Sequence, residues 1–340
     1  MVRIQRIGVI FFVVVFILAA GLAAQAEPLK IRVGWVTTPS NPLPLVWQKT
    51  DIMKYYGKTY TVELTAFKGT PLVMQAFAAK ALDVGTLSYA ALANAITRQN
   101  MDLRILADGV QDGPGGHFTT QYVVLADSPI KKAQDLKGKT IATNAQGAAL
   151  HLAHRVFLGK LGMKDQRDYT TVEVSFPAMA TFLKERKVDV VPLIMPFYAL
   201  AKKSGLNFRT IFTVREGQGD LQISFTAARG DFLDQNQAAV RDFMTDYLRG
   251  HRWLFDPKNR SEMLELVAKF TKRPVKAYED WLYTKEDYYH DPNGIPNMKA
   301  LQNNINQLFD LGELPAKLDV SKHAALSLLD MAAKRIAAGE

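Results

Sequence analysis

The chain is 340 residues long and carries 42 lysines and arginines against 33 acidic residues, a formal charge of +9, with no cysteine. Without cysteine, disulfide scaffolds, thiolate zinc or iron–sulfur sites, a cysteine nucleophile and cysteine-linked lipids are all excluded. A composition of 48% hydrophobic and 22% charged residues is that of a globular protein, and the length predicts roughly two domains, each large enough for its own core.

At the N-terminus Arg3 and Arg6 precede an apolar run over 7–20, and small residues follow up to Ala24-Gln25-Ala26. This is the layout of a cleavable secretory signal peptide over 1–26. Residues 7–24 are also long enough for a membrane anchor, but the position of the A-x-A triplet favours cleavage. Loss of the two arginines lowers the charge from +9 to +7. With no cysteine there is no lipid tether, so a soluble protein of the Gram-negative periplasm is expected.

Beyond this segment, the alternation over 29–35 predicts a half-buried strand, followed by a loop over 37–42 and a helix over 43–54. A strand over 60–65 leads to Thr70, a natural N-cap, with Pro71 in the first turn of a helix through Phe77. A short strand over 82–84, a loop over 85–89, a helix over 90–98 and a strand over 103–107 complete a βαβαβ rhythm. That rhythm predicts a mainly parallel sheet covered by helices. Gly-rich residues 111–116 then interrupt the pattern, and a second α/β unit begins. Its predicted elements are strands over 122–125, 140–143, 171–174 and 188–193, a helix opened by Gly147 running to 161, and a helix over 178–187. A second breaker at 217–220 precedes a strand over 221–227. Helical patterns follow over 235–254, 260–270, 275–281, 298–311 and 321–338. The two Gly-rich crossings predict an insertion. Domain 1 comprises 27–117 and 223–340 with a helical tail, domain 2 comprises 118–222, and two crossing strands form a hinge able to close on a ligand.

Three local patterns carry a family resemblance. Val73-Met74-Gln75-Ala76-Phe77-Ala78-Ala79-Lys80-Ala81-Leu82-Asp83-Val84-Gly85 reads as a helix running into a short D-x-G strand, and Lys187-Val188-Asp189-Val190-Val191 repeats the device. The most specific runs from Asp127-Ser128-Pro129-Ile130 to Asp135-Leu136-Lys137-Gly138-Lys139. In order and spacing these resemble the periplasmic substrate-binding proteins of ABC importers, in the nitrate/sulfonate/taurine group, over essentially the whole mature chain. The resemblance implies an α/β, two-lobed venus-flytrap protein of type II that is not an enzyme, needs no cofactor and is a monomer. It would hold a small molecule in the interdomain cleft and deliver it to an inner-membrane ABC permease with its ATPase. The expected solute is small, anionic or zwitterionic, sulfonate- or taurine-like. An aromatic carboxylate, a thiamine-precursor pyrimidine, or a role as an exported receptor for a membrane sensor are the alternatives. The related thiamine-pyrimidine synthases rely on a cysteine-rich iron motif that this chain lacks.

In open α/β sheets ligands sit beyond the C-terminal ends of the strands, where helix N-termini favour anions without a dedicated cation. The loops so placed are 37–41, 68–70, 86–89, 144–149 and 192–197. The candidate ligand-binding residues are Thr37, Ser40, Asn41, Gly69, Thr70, Ser88, Tyr89, Asn144, Gln146, Gly147, Ala148, Phe197 and Arg215. Around Gly147 small residues leave space for a headgroup, Ser88 and Tyr89 add hydroxyls, and Phe197 adds an apolar wall. Each of these also has a plain structural reading as a turn, a cap, packing or, for Arg215, an exposed hinge residue.

Other signals point away from chemistry. His151 and His154 share one predicted helix, but no H-E-x-x-H occurs and no carboxylate accompanies the pair at ligand spacing, so no metal is expected. No phosphate loop, dinucleotide fingerprint or G-x-S-x-G elbow is present. The lysines at 131, 132, 137 and 139 interleave with Asp127 and Asp135 as a solvated face, and no nucleic-acid partner is expected. A hydrolase would need a nucleophile–base pair such as Ser88 with His117.

Overall fold

The computed structural model describes residues 27–36 and 40–340; the expected signal peptide and candidate Thr37 lie outside the described residues. Ten strands are present among them: β1 (Leu29–Trp35), β2 (Tyr60–Ala66), β3 (Val84–Ser88), β4 (Leu103–Asp112), β5 (Gln121–Leu125), β6 (Thr140–Thr143), β7 (Thr170–Glu173), β8 (Val191–Leu193), β9 (Phe208–Thr213) and β10 (Leu221–Arg229). The helices are α1 (Leu43–Val46), α2 (Thr70–Ala78), α3 (Tyr89–Gln99), α4 (Ala149–Lys160), α5 (Phe176–Lys184), α6 (Phe197–Lys203), α7 (Val214–Gln218), α8 (Gly230–Gln235), α9 (Gln237–Phe255), α10 (Arg260–Thr271), α11 (Met298–Asp310) and α12 (Ser327–Ala337).

The first sheet has the order β2-β1-β3-β10-β4. The second has the order β8-β5-β9, extended through the bridge between Ile141 and Val190 to the pair β6-β7. Read together, its order is β7-β6-β8-β5-β9, which repeats the first sheet position for position. In each sheet one strand runs against its neighbours, β10 in the first and β5 in the second. That strand is in both cases the first to arrive from the other sheet, because β4 leads into β5 and β9 leads, through α7, into β10. The expectation of a mainly parallel sheet is therefore amended by one antiparallel strand per sheet, introduced by the crossing itself.

The two D-x motifs are sheet staples. Asp83 Oδ2 accepts the Arg32 backbone N–H at 2.9 Å, and its carboxylate also takes the guanidinium groups of Arg32 and Arg229. This ties β1, the start of β3 and β10 together. Asp189 Oδ2 accepts the Thr140 N–H of β6 at 2.9 Å in the second sheet. In β1 the alternation buries Ile31 and Val33 completely, and the main core continues to Trp47, whose ring stacks on Phe243 at 4.7 Å. A smaller core in the second unit joins Val123, Met179, Leu183 and Val191.

Several expected elements change. The strand expected over 82–84 runs instead over Val84–Ser88, and the expected loop is its body; with partners on both sides every residue of β3 is buried, so no alternation marks it. The helix over 43–54 is one turn of α helix followed by a 3-10 turn at Thr50–Ile52. The breaker at 217–220 is partly helical: α7 is opened by a capping box between Thr213 and Glu216 and stopped at Gly219, whose φ of +76° suits glycine. The helix over 275–281 is a 3-10 turn at Val275–Ala277, and the last helix starts at Ser327, after another at Val320–His323.

Candidate functional site

A cavity of about 70 Å³ lies where the C-terminal ends of strands from both sheets meet. At roughly 10–15 Å³ per water-sized position it has room for about five waters, or one small solute. Its polar lining is Ser40, Thr70, Thr86, Ser88, Asn144, Ser224 and Tyr288, set among Val36, Val110, Ala148, Ala149, Leu150, Phe176, Ile194, Met195 and Ile223. Among the described residues lining it none carries a charge. Instead α2, α4 and α5 reach it with their first residues, Thr70, Ala149 and Phe176, and α3 with its N-cap, Ser88. Helix N-termini present N–H groups without an intrahelical partner and a partial positive charge.

The hydroxyl network decides what this wall offers. Thr70 Oγ1 and Ser88 Oγ lie 2.9 Å apart, and Ser88 Oγ also accepts the Ala91 N–H that caps α3. Two hydroxyls sharing one mutual bond have one proton left over, whichever of them donates, so the pair presents one donor to the cavity. Thr86 Oγ1 accepts from Asn41 Nδ2 at 2.8 Å, which leaves its own proton to donate.

Of the sequence candidates, Ser40, Thr70, Ser88, Asn144 and Ala148 line the cavity together. Gly69 stands beside it, where a Cβ would come within 3.3 Å of the Ala145 Cβ and 3.4 Å of Asn144 Nδ2. Asn41 sits one layer behind, with Nδ2 donating to Val36 O and Thr86 Oγ1 and Oδ1 accepting Leu43 N–H. Buried Tyr89 spans the two units, its hydroxyl bonded to Ala149 O at 3.2 Å and Gln218 Oε1 at 3.0 Å. Gln146 is exposed and its N–H goes to Glu173, while the Gly147 N–H goes to His151 Nδ1 at 2.9 Å. Neither of those two residues lines the cavity. Phe197 lies behind Phe176, ring centroids 6.2 Å apart, and it is Phe176 that forms the wall. Arg215 is exposed, packs on Gly113 and pairs with Asp220 at 3.4 Å, and it does not line the cavity.

Thr86, Ala149, Ile194 and Met195 fall in loops that the strand ends single out. Val110, Ile223 and Ser224 lie on β4 and β10 beside the crossings, and Tyr288 in an irregular stretch between helices; these carry no periodic signal that would have found them. The fold also supplies the carboxylate that sequence spacing did not. Ligand atoms of His151, His154 and Asp165 lie within 4.8 Å of one another. All three are engaged in hydrogen bonds. His151 Nδ1 accepts from Gly147, which leaves Nε2 as the donor to Asp165 at 3.1 Å, and His154 Nε2 bonds Thr171 Oγ1. No hydrogen bond joins Ser88 to His117: Ser88 Oγ is bonded to Thr70 and Ala91, and His117 Nδ1 to Asp287 O.

The wall toward the crossings is acidic beneath its surface. Burial pushes Asp112 up to about 6 and Asp108 and Asp287 up to about 7. A carboxylate raised in this way holds its proton more firmly folded than unfolded, so its charged form costs stability as pH climbs from about 4 to about 7. Asp112→Asn removes that charge and keeps an oxygen for the Thr120 N–H. Its stability relative to wild type is expected to improve with pH through this window, by about 2–3 kcal/mol in all. Thermal unfolding of both proteins at about pH 4.5 and 8 checks the sign. A relative stability that declines with rising pH would contradict it.

A model of the NMT1-like family matches residues 24–268. The nitrate/nitrite binding protein of Synechocystis sp. is 21% identical over 193 residues, which is 56% of this chain and 42% of that protein. The alkanesulfonate-binding protein of Xanthomonas axonopodis pv. citri, solved bound to MOPS, superposes with a TM-score of 0.66 at 19% identity, covering 88% of this chain and 99% of its own. A desulfurization enzyme, DSZB, superposes at 0.63 and 15% identity, covering 91% and 99%. At these identities the likeness to the solved structures is one of fold.

Proposed function

The chain belongs to the NMT1-like family and has the two-lobed periplasmic-binding-protein fold, and from that premise we propose that it captures a small anionic or zwitterionic organic solute, sulfonate- or taurine-like, and delivers it to an ABC importer. The observation that carries this reading is the cavity: small, uncharged among its described lining residues, and supplied with hydroxyl donors at converging helix N-termini. In this reading 27–117 and 223–340 form one lobe and 118–222 the other. Tyr89, the ion pair of Arg155 with Glu313 and that of Lys203 with Asp280 hold them together around the solute. A permease with its ATPase is the partner, and the segment 1–26 is the export signal. A lining without cysteine, histidine, lysine or carboxylate among the described residues supports binding over the catalysis named for DSZB.

A thermal-shift screen of sulfonates, carboxylates, nitrate and pyrimidines tests the reading, since a solute that binds only the folded state raises its stability. Stabilisation by one class, confirmed by calorimetry, is the expected result. If no small anion or zwitterion raises the melting temperature, the reading fails.

A further inference from the structure

The turn between β6 and α4 brings Asn144, Ala148, Ala149 and Leu150 to the cavity, and three of its N–H groups are bonded within the second unit. Ala148 N–H closes the turn on Ala145 O at 3.2 Å. Gln146 N–H meets the exposed Glu173 carboxylate at 2.7 Å, where water competes for it. Gly147 N–H meets His151 Nδ1 at 2.9 Å, and His151 is only 5% exposed. Losing a buried partner costs more than losing one that water replaces, so the bond to His151 is the firmer tether.

An imidazole accepts at Nδ1 only when that nitrogen carries no proton, and which nitrogen carries it is set by the partner of the other. His151 Nε2 faces Asp165 Oδ2 at 3.1 Å. The second oxygen of that carboxylate, Oδ1, is held by donors: the Gln166 N–H at 2.9 Å, the Thr171 N–H at 3.2 Å and the Thr171 hydroxyl at 2.9 Å. Asp165 therefore stands with Oδ2 turned to His151, keeps the ring proton on Nε2 and leaves the Nδ1 lone pair to Gly147. A metal-bound imidazole donates from its second nitrogen to an acceptor. Here that nitrogen faces an N–H donor, so His151 is set to hold the backbone and not a cation.

We infer that Asp165 and His151 are positioning residues of the binding site, a relay that sets the sense of the Gly147 hydrogen bond and with it the place of Asn144, Ala148 and Ala149 in the cavity wall. The role in binding rests on the solute-binding reading of the cavity; the relay itself does not. Asp165→Asn, nearly identical in shape, exposes it. Its single oxygen is claimed by the donors of Gln166 and Thr171, so its amide N–H points at His151 Nε2, which must then accept. The ring proton moves to Nδ1 and meets the Gly147 N–H, donor against donor.

Amide exchange and imidazole nitrogen NMR spectra of the intact protein, without solute, test the relay. Protection at Gly147 is read relative to Val123 in β5, so that global destabilisation cancels. His151 Nδ1 is expected to be unprotonated in the wild type and protonated in Asp165→Asn. Gly147 is expected to lose about tenfold or more of its relative protection in Asp165→Asn and in His151→Leu, but less than about threefold in His151→Asn, whose oxygen takes the place of Nδ1. Adding His151→Asn to Asp165→Asn is expected to restore the protection, a rescue that a merely structural aspartate would not show. Calorimetry with ethanesulfonate, propanoate and nitrate is expected to follow the same order, with binding about tenfold weaker in Asp165→Asn and regained in the double variant. A protonated Nδ1 in the wild type, unchanged Gly147 protection in Asp165→Asn, or a double variant as impaired as Asp165→Asn overturns the relay while the solute reading stands. Unchanged affinity in Asp165→Asn overturns the positioning role. If none of the three probes binds and the thermal-shift screen gives no response, the solute reading and the role in binding fall together, and exchange alone decides the relay.

Discussion

Replacing Gly69 with tryptophan is expected to weaken solute binding by about 100-fold or more while the protein remains folded. The backbone at Gly69 is extended, at φ −172° and ψ 160°, so a side chain there carries no local strain. What it meets is the loop after β6 of the second sheet, because a Cβ would sit 3.3 Å from the Ala145 Cβ and 3.4 Å from Asn144 Nδ2. Alanine is already tight and needs its neighbours to give by a few tenths of an ångström; an indole has nowhere to go unless the lobes part. Parting them takes Asn144, Ala148 and Ala149 away from Thr70 and Ser88, and with them half of the cavity. A loss of about 100-fold is about 2.7 kcal/mol, a plausible sum for two or three hydrogen bonds to a charged group. Calorimetry with the solute found by screening, and small-angle scattering with and without it, check both halves. Gly69→Ala should stay within about tenfold of wild type, and a tryptophan variant that binds and closes normally would refute the contact.

The largest effect on stability is expected at Asp246, in the middle of α9. Its carboxylate is fully buried and accepts the backbone N–H groups of Lys54 at 2.8 Å, Tyr55 at 2.8 Å and Tyr56 at 3.1 Å, and the Tyr60 hydroxyl at 3.0 Å. The Arg249 guanidinium completes the set. Asp246→Ala leaves these donors without an acceptor and an arginine without its counter-charge. Such a change costs about 3–5 kcal/mol, or a fall in melting temperature on the order of 10 °C at the usual 2–4 °C per kcal/mol for chains of this size. Asp246→Asn should recover part of it by restoring one acceptor oxygen. Calorimetric unfolding checks the prediction, and a loss below about 1 kcal/mol would mean that water replaces the carboxylate.

How far each residue was legible depends on the distance over which its signal acts. Thr70 with Pro71 announces a helix start from two adjacent residues, but the N-cap is Gly69 and Thr70 is the first helical residue, its hydroxyl bonded to Ser88 in the cavity wall and not in a cap bond. Ser88 caps α3 and lines the same wall, although the strand before it was read as a loop, because a central strand buries both of its faces and loses the alternation that marks an edge. Gly147 was chosen for the freedom of its backbone, and it does adopt a φ of +73°. Its N–H, however, is taken by His151, whose orientation depends on Asp165 in another part of the chain. Tyr288 and Ser224 were not legible at all, since nothing within several residues of either says that a cavity will open beside it.

The sequence by itself determined the class of the fold and the two crossings between the sheets, and it pointed to strand-end loops of which several line the cavity. Strand and helix periods, caps and glycine breaks are set by interactions within a few residues, and strand ends followed by helix starts define where a ligand can sit. Only the tertiary structure decided which hydroxyls have a proton to give and which have spent theirs. That depends on partners far away in the chain: Ser40 on Asp287, Thr86 on Asn41, and Asp246 on a loop nearly 200 residues earlier. The polarity of the cavity is a property of those long-range pairings.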